Sequence, residues 1–160
     1  MAPYILPESI DRILYLDADI IINGSLHELY EQDFEGAYAA VIKDRFDFCD
    51  EVVLQKQKLG MIDSDVYFNS GVMLMNLSVF RENIKLNDIM EFIEEHRDKL
   101  FYFDQDILNC LLLEHKKLCD LQYNFQAYPF EKLDLFKAGF VQEYLEYWEE
   151  KLHQTGAEGL

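Results

Sequence analysis

Arg12-Ile-Leu-Tyr-Leu-Asp-Ala-Asp19 decides how this chain is read. Ile13 to Leu16 is a short apolar run of the length expected for a buried strand. It ends in two carboxylates separated by one small residue, Ala18. Successive side chains of an extended segment point to opposite faces, so Asp17 and Asp19 are expected to project together. Adjacent carboxylates repel, and burying them is costly, so a cation is expected between them. All-oxygen ligands at a strand end suit a hard divalent ion, Mn²⁺ or Mg²⁺, that keeps positions open for phosphate oxygens. The competing reading is a strand stop and a turn, which Asn23-Gly24 encourages.

Two further stretches bear on the choice. In Tyr67-Phe-Asn-Ser-Gly-Val-Met-Leu-Met-Asn-Leu77, the run Val72 to Leu77 is almost continuously apolar, as in a strand buried on both faces. Asn69-Ser70-Gly71 precedes it, and Gly71 lets the backbone turn or approach a ligand closely. In Phe103-Asp-Gln-Asp-Ile-Leu-Asn109, Asp104 suits a helix N-cap, Asp106 complements the helix dipole, and Phe103 can staple onto Leu108. Three polar groups at a helix start can equally hold ligand hydroxyls and phosphates.

The remaining elements frame these stretches. Ser25-Leu-His-Glu28 has capping-box spacing and is expected to open a short helix through Tyr30. Ala37 to Ile42 reads as a second strand, Lys43 to Asp50 as a loop over the site, and Val52 to Leu59 as a helix that Gly60 ends. Ser78 is expected to cap a short helix, and a longer amphipathic one runs from about Asn87 to Lys99. Lys117 to Leu121 reads as a further strand, followed by Tyr123-Asn-Phe125. His27, His96 and His115 are read as helical surface or packing residues. From Pro129 to Gln154, Leu133, Phe136, Phe140, Tyr144 and Tyr147 recur at helical spacing. The expected organisation is one domain, a core over 1–125 and a helical tail over 126–160, with no repeats or linkers.

Composition narrows the class. A chain of 160 residues that is 50 % hydrophobic and 14 % aromatic can bury a real core. Its net charge of −17, from 31 acidic residues against 14 Lys plus Arg, argues against nucleic acid and anionic membrane as electrostatic partners. An anionic nucleotide then needs a metal and local donors to screen that field. Cys49, Cys110 and Cys119 have no metal-finger or redox spacing and read as reduced thiols of a cytoplasmic protein. No stretch reaches the roughly 20 apolar residues of a membrane helix, and Met1 to Pro7 is too short and proline-broken for a signal peptide.

Ile13-Leu-Tyr-Leu-Asp-Ala-Asp19, Tyr67-Phe-Asn-Ser-Gly71 with Met75-Asn76-Leu77, Asp104-Gln-Asp-Ile-Leu-Asn109 and Tyr123-Asn-Phe125 occur in this order. Together they resemble family 8 glycosyltransferases, retaining enzymes that use nucleotide sugars on a GT-A fold, over about residues 2–125. The resemblance implies a partial GT-A, Rossmann-like α/β mixed sheet flanked by helices. It implies transfer of a hexose from a UDP-sugar to an acceptor hydroxyl of a saccharide or glycolipid, with Mn²⁺ or Mg²⁺ as cofactor. By this resemblance Asp17 and Asp19 bind the metal and, with Ala18 between them, the donor diphosphate. Asn69 touches the donor sugar, and Asp104 and Gln105 lie below the anomeric carbon with Asp106 beside them. Asp44 contacts the donor. The carboxylate of Asp104 and the amide oxygen of Gln105 would stabilise an oxocarbenium-like sugar while the metal takes up leaving-group charge.

The departures generate expectations too. The family's nucleotide-binding half would precede Met1-Ala2-Pro3, and its histidine metal-ligand stretch would follow Phe125; His153, in Gln-Thr-Gly surroundings, does not match it. The expectation is therefore a truncated core with little turnover. It should be cytoplasmic or peripheral at the inner face of a membrane, and able to oligomerise through an exposed sheet edge. Two other readings stay open: a non-catalytic remnant or interaction module of the same fold, and a haloacid-dehalogenase-type phosphatase with Asp17 as nucleophile. Against the phosphatase, Ile stands at position 21 where Thr or Val is usual.

Overall fold

The long apolar run forms the second strand of a four-stranded mixed sheet. In the computed structural model, which describes residues 2–126, β1 (Arg12–Leu16), β2 (Ala39–Lys43), β3 (Phe68–Asn76) and β4 (Lys116–Cys119) lie in the order β1-β3-β2-β4. β3 runs antiparallel to both neighbours, and β2 pairs with β4 in parallel. Among the described residues six helices join or flank the strands: α1 (Ala2–Ile5), α2 (His27–Tyr30), α3 (Asp50–Lys58), α4 (Leu77–Asn83), α5 (Leu86–His96) and α6 (Asp104–Leu111). A 3₁₀ turn, Leu121–Tyr123, follows β4. The helix expected from Pro129 to Gln154 lies outside the described residues.

Alternation sorts the strand residues into two layers, as a pleated sheet requires. On one face Met73 and Met75 join Val41, Ala39, Leu77, Phe80 and Leu112, with Ile13 and Tyr15 packed against them. On the other, Val72 meets Ile42 and Leu29, and Leu74 meets Ala40 and Phe34, with Leu14 along both. Residues 70 to 75 of β3 are buried throughout, as a strand covered on two sides demands. β1 differs from expectation: every one of its residues is half-buried. Its register runs against β3 alone, so among the described residues it is an edge strand with a solvent-facing flank.

β3 begins four residues before the apolar run. Asn69, Ser70 and Gly71, expected ahead of the strand, lie inside it, because Ile42 and Lys43 pair with Asn69 and Phe68. The pairing jumps from Val41 with Met73 to Ile42 with Asn69, so Ser70 to Val72 bulge away from β2. The other side of the bulge stays in register with β1 through Leu16 and Val72.

Helix starts are set by side chains other than those expected. Ser25 accepts from the His27 amide at 3.2 Å, closing a local turn, and Leu26 precedes α2, so no capping box forms. Asn76, not Ser78, caps α4, its side chain accepting from the Val79 amide at 3.3 Å. Gly60 ends α3 as expected, with φ +81° and Met61 donating back to Lys56. His115 lies in the turn before β4 rather than on a helix, stacked on Tyr38 at 4.3 Å. Arg81 of α4 donates to the carbonyls of Pro3, Leu6, Pro7 and Ile10, binding the N-terminal segment to the body of the fold.

The loop after β2 is anchored from beneath by a buried cation. Lys56, 1 % exposed, extends its ammonium to Asp47 at 3.0 Å and to the carbonyls of Asp63 and Asp65 at 3.0 and 2.8 Å. Asp47 also accepts from the Tyr67 amide at 3.1 Å, joining this loop to the residue that leads into β3. A buried pair with all donors satisfied stabilises little by itself, but removing Lys56 leaves the buried Asp47 with only the half-exposed Lys43, at 3.3 Å, as a cationic partner. Lys56→Met is therefore expected to lower stability by about 3–5 kcal/mol in urea unfolding. A loss below about 1 kcal/mol would mean that Asp47 is not buried as a charge.

Candidate active site

The sheet delivers its polar residues to one end of β3. The ladder between β1 and β3 continues one residue past Leu16: the Asp17 amide donates to the Gly71 carbonyl at 2.9 Å. Asp17 is thus fixed at a strand end, as expected. The geometry beyond it is not extended. Ile20 donates to the Asp17 carbonyl at 3.3 Å, and Ala18 and Asp19 form the turn between them. The two aspartates therefore do not share a strand face. Asp17 is half-buried, while Ala18 and Asp19 are exposed on the turn. The Asp17 carboxylate is oriented from its own strand, Tyr15 donating to its Oδ1 at 2.8 Å.

Gly71 leaves the room this carboxylate uses. A Cβ built there would stand 3.0 Å from Asp17 Oδ2 and 2.9 Å from Asn69 Oδ1, so either side chain would have to shift. Its backbone angle is one any residue can adopt, so the requirement for glycine is one of space. Gly71 is expected to let the backbone turn or approach a ligand; in the structure the neighbours that need its small size are the chain's own Asp17 and Asn69 side chains.

A second group of polar side chains converges from elements far apart in sequence. Gln105, on the first turn of α6, accepts on Oε1 from Asn69 Nδ2 and from the Ser70 amide, both at 3.1 Å, and donates from Nε2 to Asp44 Oδ2 at 3.2 Å. A backbone N–H can only donate and a carboxylate can only accept, so these partners fix which end of the amide is oxygen. Asn69 is fixed in the same way: its Oδ1 accepts from the Gly71 amide at 3.0 Å and from Asn124 Nδ2 at 2.8 Å. Asp44, 6 % exposed just past β2, accepts from the Phe46 amide at 2.7 Å. Burial raises its carboxyl above the ordinary value, against the opposing pull of the hydrogen bonds from Phe46, Asn69 and Gln105.

α6 starts differently from expectation. Phe103, with φ +47°, is the residue before the helix; Asp104 is its first residue and caps nothing. Phe103 is 74 % exposed and so does not act as a staple. The amides before the helix are taken instead by Asp106, which accepts from Phe101 and Tyr102 at 2.7 Å each. Asp106 also accepts from Gln55 at 2.9 Å and from the Tyr67 hydroxyl at 2.5 Å, and it is fully buried. It therefore lies beneath the polar floor, not on it. The Tyr67 phenol is pushed far up by burial first and by this carboxylate second. Asp104 is exposed on the first turn of α6; the Tyr15 phenol is raised first by its hydrogen bond to Asp17, then by burial and by the charges of Asp17 and Asp104.

Asp17, Asp44, Asn69, Asp104 and Gln105 thus come together, with Ala18 and Asp19 on the adjoining turn. Tyr15 and Asn124 belong to the same constellation, and the sequence gives neither of them a role. The alternation of a strand is the available signal for Tyr15, two residues from Asp17; Asn124 stands in a motif that assigns it no task. The donor set suits a hard cation only in part. No group of three or more His, Cys, Asp and Glu able to hold a metal occurs among the described residues. Of the two expected carboxylates, that of Asp17 lies beside Gly71 while Asp19 is exposed on the adjoining turn, so an ion held here would have to take most of its ligands from phosphate oxygens and water.

The raised Asp44 carboxyl has a defined consequence. A carboxyl whose folded value lies above its unfolded value makes the folded state bind the proton more tightly, so stability is lost as pH rises through that window. The unfolding midpoint of Asp44→Asn relative to the parent is expected to rise as pH is raised from below 3.8, the ordinary value, toward neutrality. A pH-independent difference would contradict the burial of this charge.

Comparison with known proteins identifies the family of the chain. The family model described as "Glycosyl transferase family 8" matches residues 1–149, further than the motifs alone reach. Lipopolysaccharide 1,2-glucosyltransferase of Escherichia coli is 39 % identical over 123 residues, 72 % of this chain and 34 % of that protein. A structure of the galactosyltransferase LgtC with donor and acceptor sugar analogues superposes with a TM-score of 0.69 at 32 % identity, over 76 % of this chain and 42 % of LgtC. The glycosyltransferase GlyE of Streptococcus pneumoniae superposes with a TM-score of 0.68 at 27 % identity, over 89 % and 32 % of the two chains. The chain spans about a third of the length of the curated relatives it matches. These matches agree with the α/β mixed sheet flanked by helices and leave the phosphatase reading without support. The chain belongs to glycosyltransferase family 8.

Proposed function

We propose that this chain carries the donor-binding and catalytic centre of a retaining glycosyltransferase, which moves a hexose from a UDP-sugar to an acceptor hydroxyl with the help of Mn²⁺. One observation carries the proposal. Side chains from the ends of β1 and β2, the bulge of β3 and the first turn of α6 meet in one polar site, where the hydrogen bonds between elements span 25 to 61 residues of sequence. A remnant kept only for its fold would not require so many polar groups to be satisfied by one another.

Asp17 and Asp19 would hold the metal, and Ala18 between them keeps the turn small at the donor diphosphate. When bound, the ion acts as a Lewis acid toward the departing diphosphate. Mg²⁺ is the alternative with the same ligand preference. The chain's own residues do the rest. Asn69 and Asp44 present a pre-oriented polar edge to the donor sugar. Asp104, an exposed carboxylate, stabilises positive charge as it develops on the anomeric carbon. Gln105 holds its amide dipole at that position through Asn69, Ser70 and Asp44. Asp106 serves as the buried support of this turn, not as a ligand contact. One of the LgtC structures that resembles this chain is of an active-site variant with glutamate in place of glutamine, which supports a working glutamine here.

For the acceptor, lipopolysaccharide glucosyltransferases and galactosyltransferases among the relatives favour a saccharide or glycolipid. No described helix is long and apolar enough to cross a membrane. A cytoplasmic protein working peripherally at the inner membrane face fits such an acceptor.

Two experiments on the complete gene product test the reading. Electron paramagnetic resonance titration of Mn²⁺ with UDP present should detect binding that Asp19→Ala weakens by about tenfold or more, the lower range for losing metal-site contacts. Parental affinity in that variant would remove Asp19 from the metal site. Asp104→Asn should lower kcat by about 10² or more while substrate affinity and stability change little, because position 104 has no capping duty and the charge matters in the transition state. Gln105→Ala should lower kcat likewise. Near-parental kcat in both would reduce this stretch to an ordinary helix start.

A further inference from the structure

Among the described residues, Tyr15 is the one aromatic side chain that donates a hydrogen bond to Asp17, Asp44 or Asp104, and nothing in the proposed mechanism yet uses it. Its hydroxyl donates to Asp17 Oδ1 at 2.8 Å. Its ring packs against the core cluster of Met73, Met75, Phe80 and Leu112, and its backbone pairs with Met73. The hydroxyl is therefore carried by a rigid strand, not by a mobile surface side chain. Tyr15 and Asp17 are two residues apart, so the pleat aims both side chains to the same face.

Asp17 is consequently held at three points. Its amide is bound to the Gly71 carbonyl at 2.9 Å, Oδ1 to the tyrosine hydroxyl, and Oδ2 stands over the bare Cα of Gly71, where a Cβ would come within 3.0 Å. A phenol gives its proton to a carboxylate in a charge-assisted bond, and here that bond occupies one oxygen and leaves the other for an external ligand.

We propose that Tyr15 is a positioning residue for divalent-cation binding: its hydroxyl sets the rotamer of Asp17 so that Oδ2 is the oxygen offered to the metal. The inference rests on the proposed role of Asp17 as a metal ligand. Hydrogen-bonded partners of metal ligands contribute about 10–100-fold to affinity when they orient the ligand. Without the hydroxyl the Asp17 side chain regains rotamer freedom, and its carboxylate must be re-ordered each time a cation binds.

The test is Mn²⁺ titration by electron paramagnetic resonance on the complete gene product with UDP present, for the parent, Tyr15→Phe, Asp17→Ala and Tyr4→Phe. Tyr4 donates its hydroxyl to the Ile84 carbonyl at 2.9 Å and packs against the same core cluster, so Tyr4→Phe reports the cost of losing a phenol hydroxyl from this core away from the site. The expected result is binding weakened roughly tenfold or more in Tyr15→Phe, strongly in Asp17→Ala, and not in Tyr4→Phe. In turnover assays the Mn²⁺ concentration for half-maximal rate should rise in Tyr15→Phe while kcat at saturating metal stays near the parent's, a split that a general loss of folding would not produce. Parental Mn²⁺ affinity in Tyr15→Phe with binding lost in Asp17→Ala overturns the role of Tyr15 alone. Equal weakening by Tyr4→Phe and Tyr15→Phe overturns it as well. Parental affinity in Asp17→Ala, or no Mn²⁺ binding by the parent, overturns the metal site and this inference together.

Discussion

Two buried side chains three residues apart, Asp106 and Asn109, fix helix α6 to strand β3, and the polar site depends on that junction. Asn109 accepts from the Phe68 amide and donates to the Phe68 carbonyl, both at 2.8 Å, so one side chain replaces a missing strand partner at the start of β3. It also donates to the carbonyl of Gln105 at 2.9 Å. Asp106 binds the Tyr67 hydroxyl and two amides ahead of the helix. Both side chains are fully buried, where an unpaired polar group is expensive, so alternatives to this packing are disfavoured. The register of helix against strand is thereby set. Gln105, next to Asp106 in sequence and half-exposed, is delivered to Asn69 and Ser70.

Support for the site is layered. Under the loop after β2, Lys56 and Asp47 hold the chain that carries Asp44. At the start of α6, Phe103 adopts a left-handed backbone at φ +47°, which a bulky residue takes only when its surroundings impose it. Here the imposing element is Asp106, which gathers the amides of Phe101 and Tyr102 and forces the turn before the helix. The pattern agrees with strain being concentrated next to a functional site and borne by buried hydrogen bonds.

The family and most elements are legible in local order. Four motifs in sequence identify the fold class, because each combines a strand or helix pattern with polar residues at its end. The apolar runs locate β2, β3 and β4 within a few residues. They fail where a side chain or a neighbouring strand overrides the local pattern. Ser25, Ser78 and Asp104 all look like caps, yet Leu26, Asn76 and Phe103 occupy those positions. Cap choice depends on where packing lets the first turn begin, which residue type alone does not fix. Asn69 to Gly71 join the strand because β2 is there to pair with them.

What the sequence by itself determined is the chemical inventory: carboxylates at a strand end, an Asn-Ser-Gly approach to a buried strand, and an Asp-Gln pair opening a helix. These follow from periodicity and residue type, which act over a few neighbours. Only the tertiary structure decided which members face one another. It turned Asp17 and Asp19 through a tight bend in place of one strand face, sent Asp106 beneath the site, and brought Tyr15 and Asn124 into it. Those outcomes rest on hydrogen bonds between residues as many as 55 positions apart, and on space left by a glycine on another strand. Such contacts exist only once the sheet has formed, so no local reading of the chain contains them.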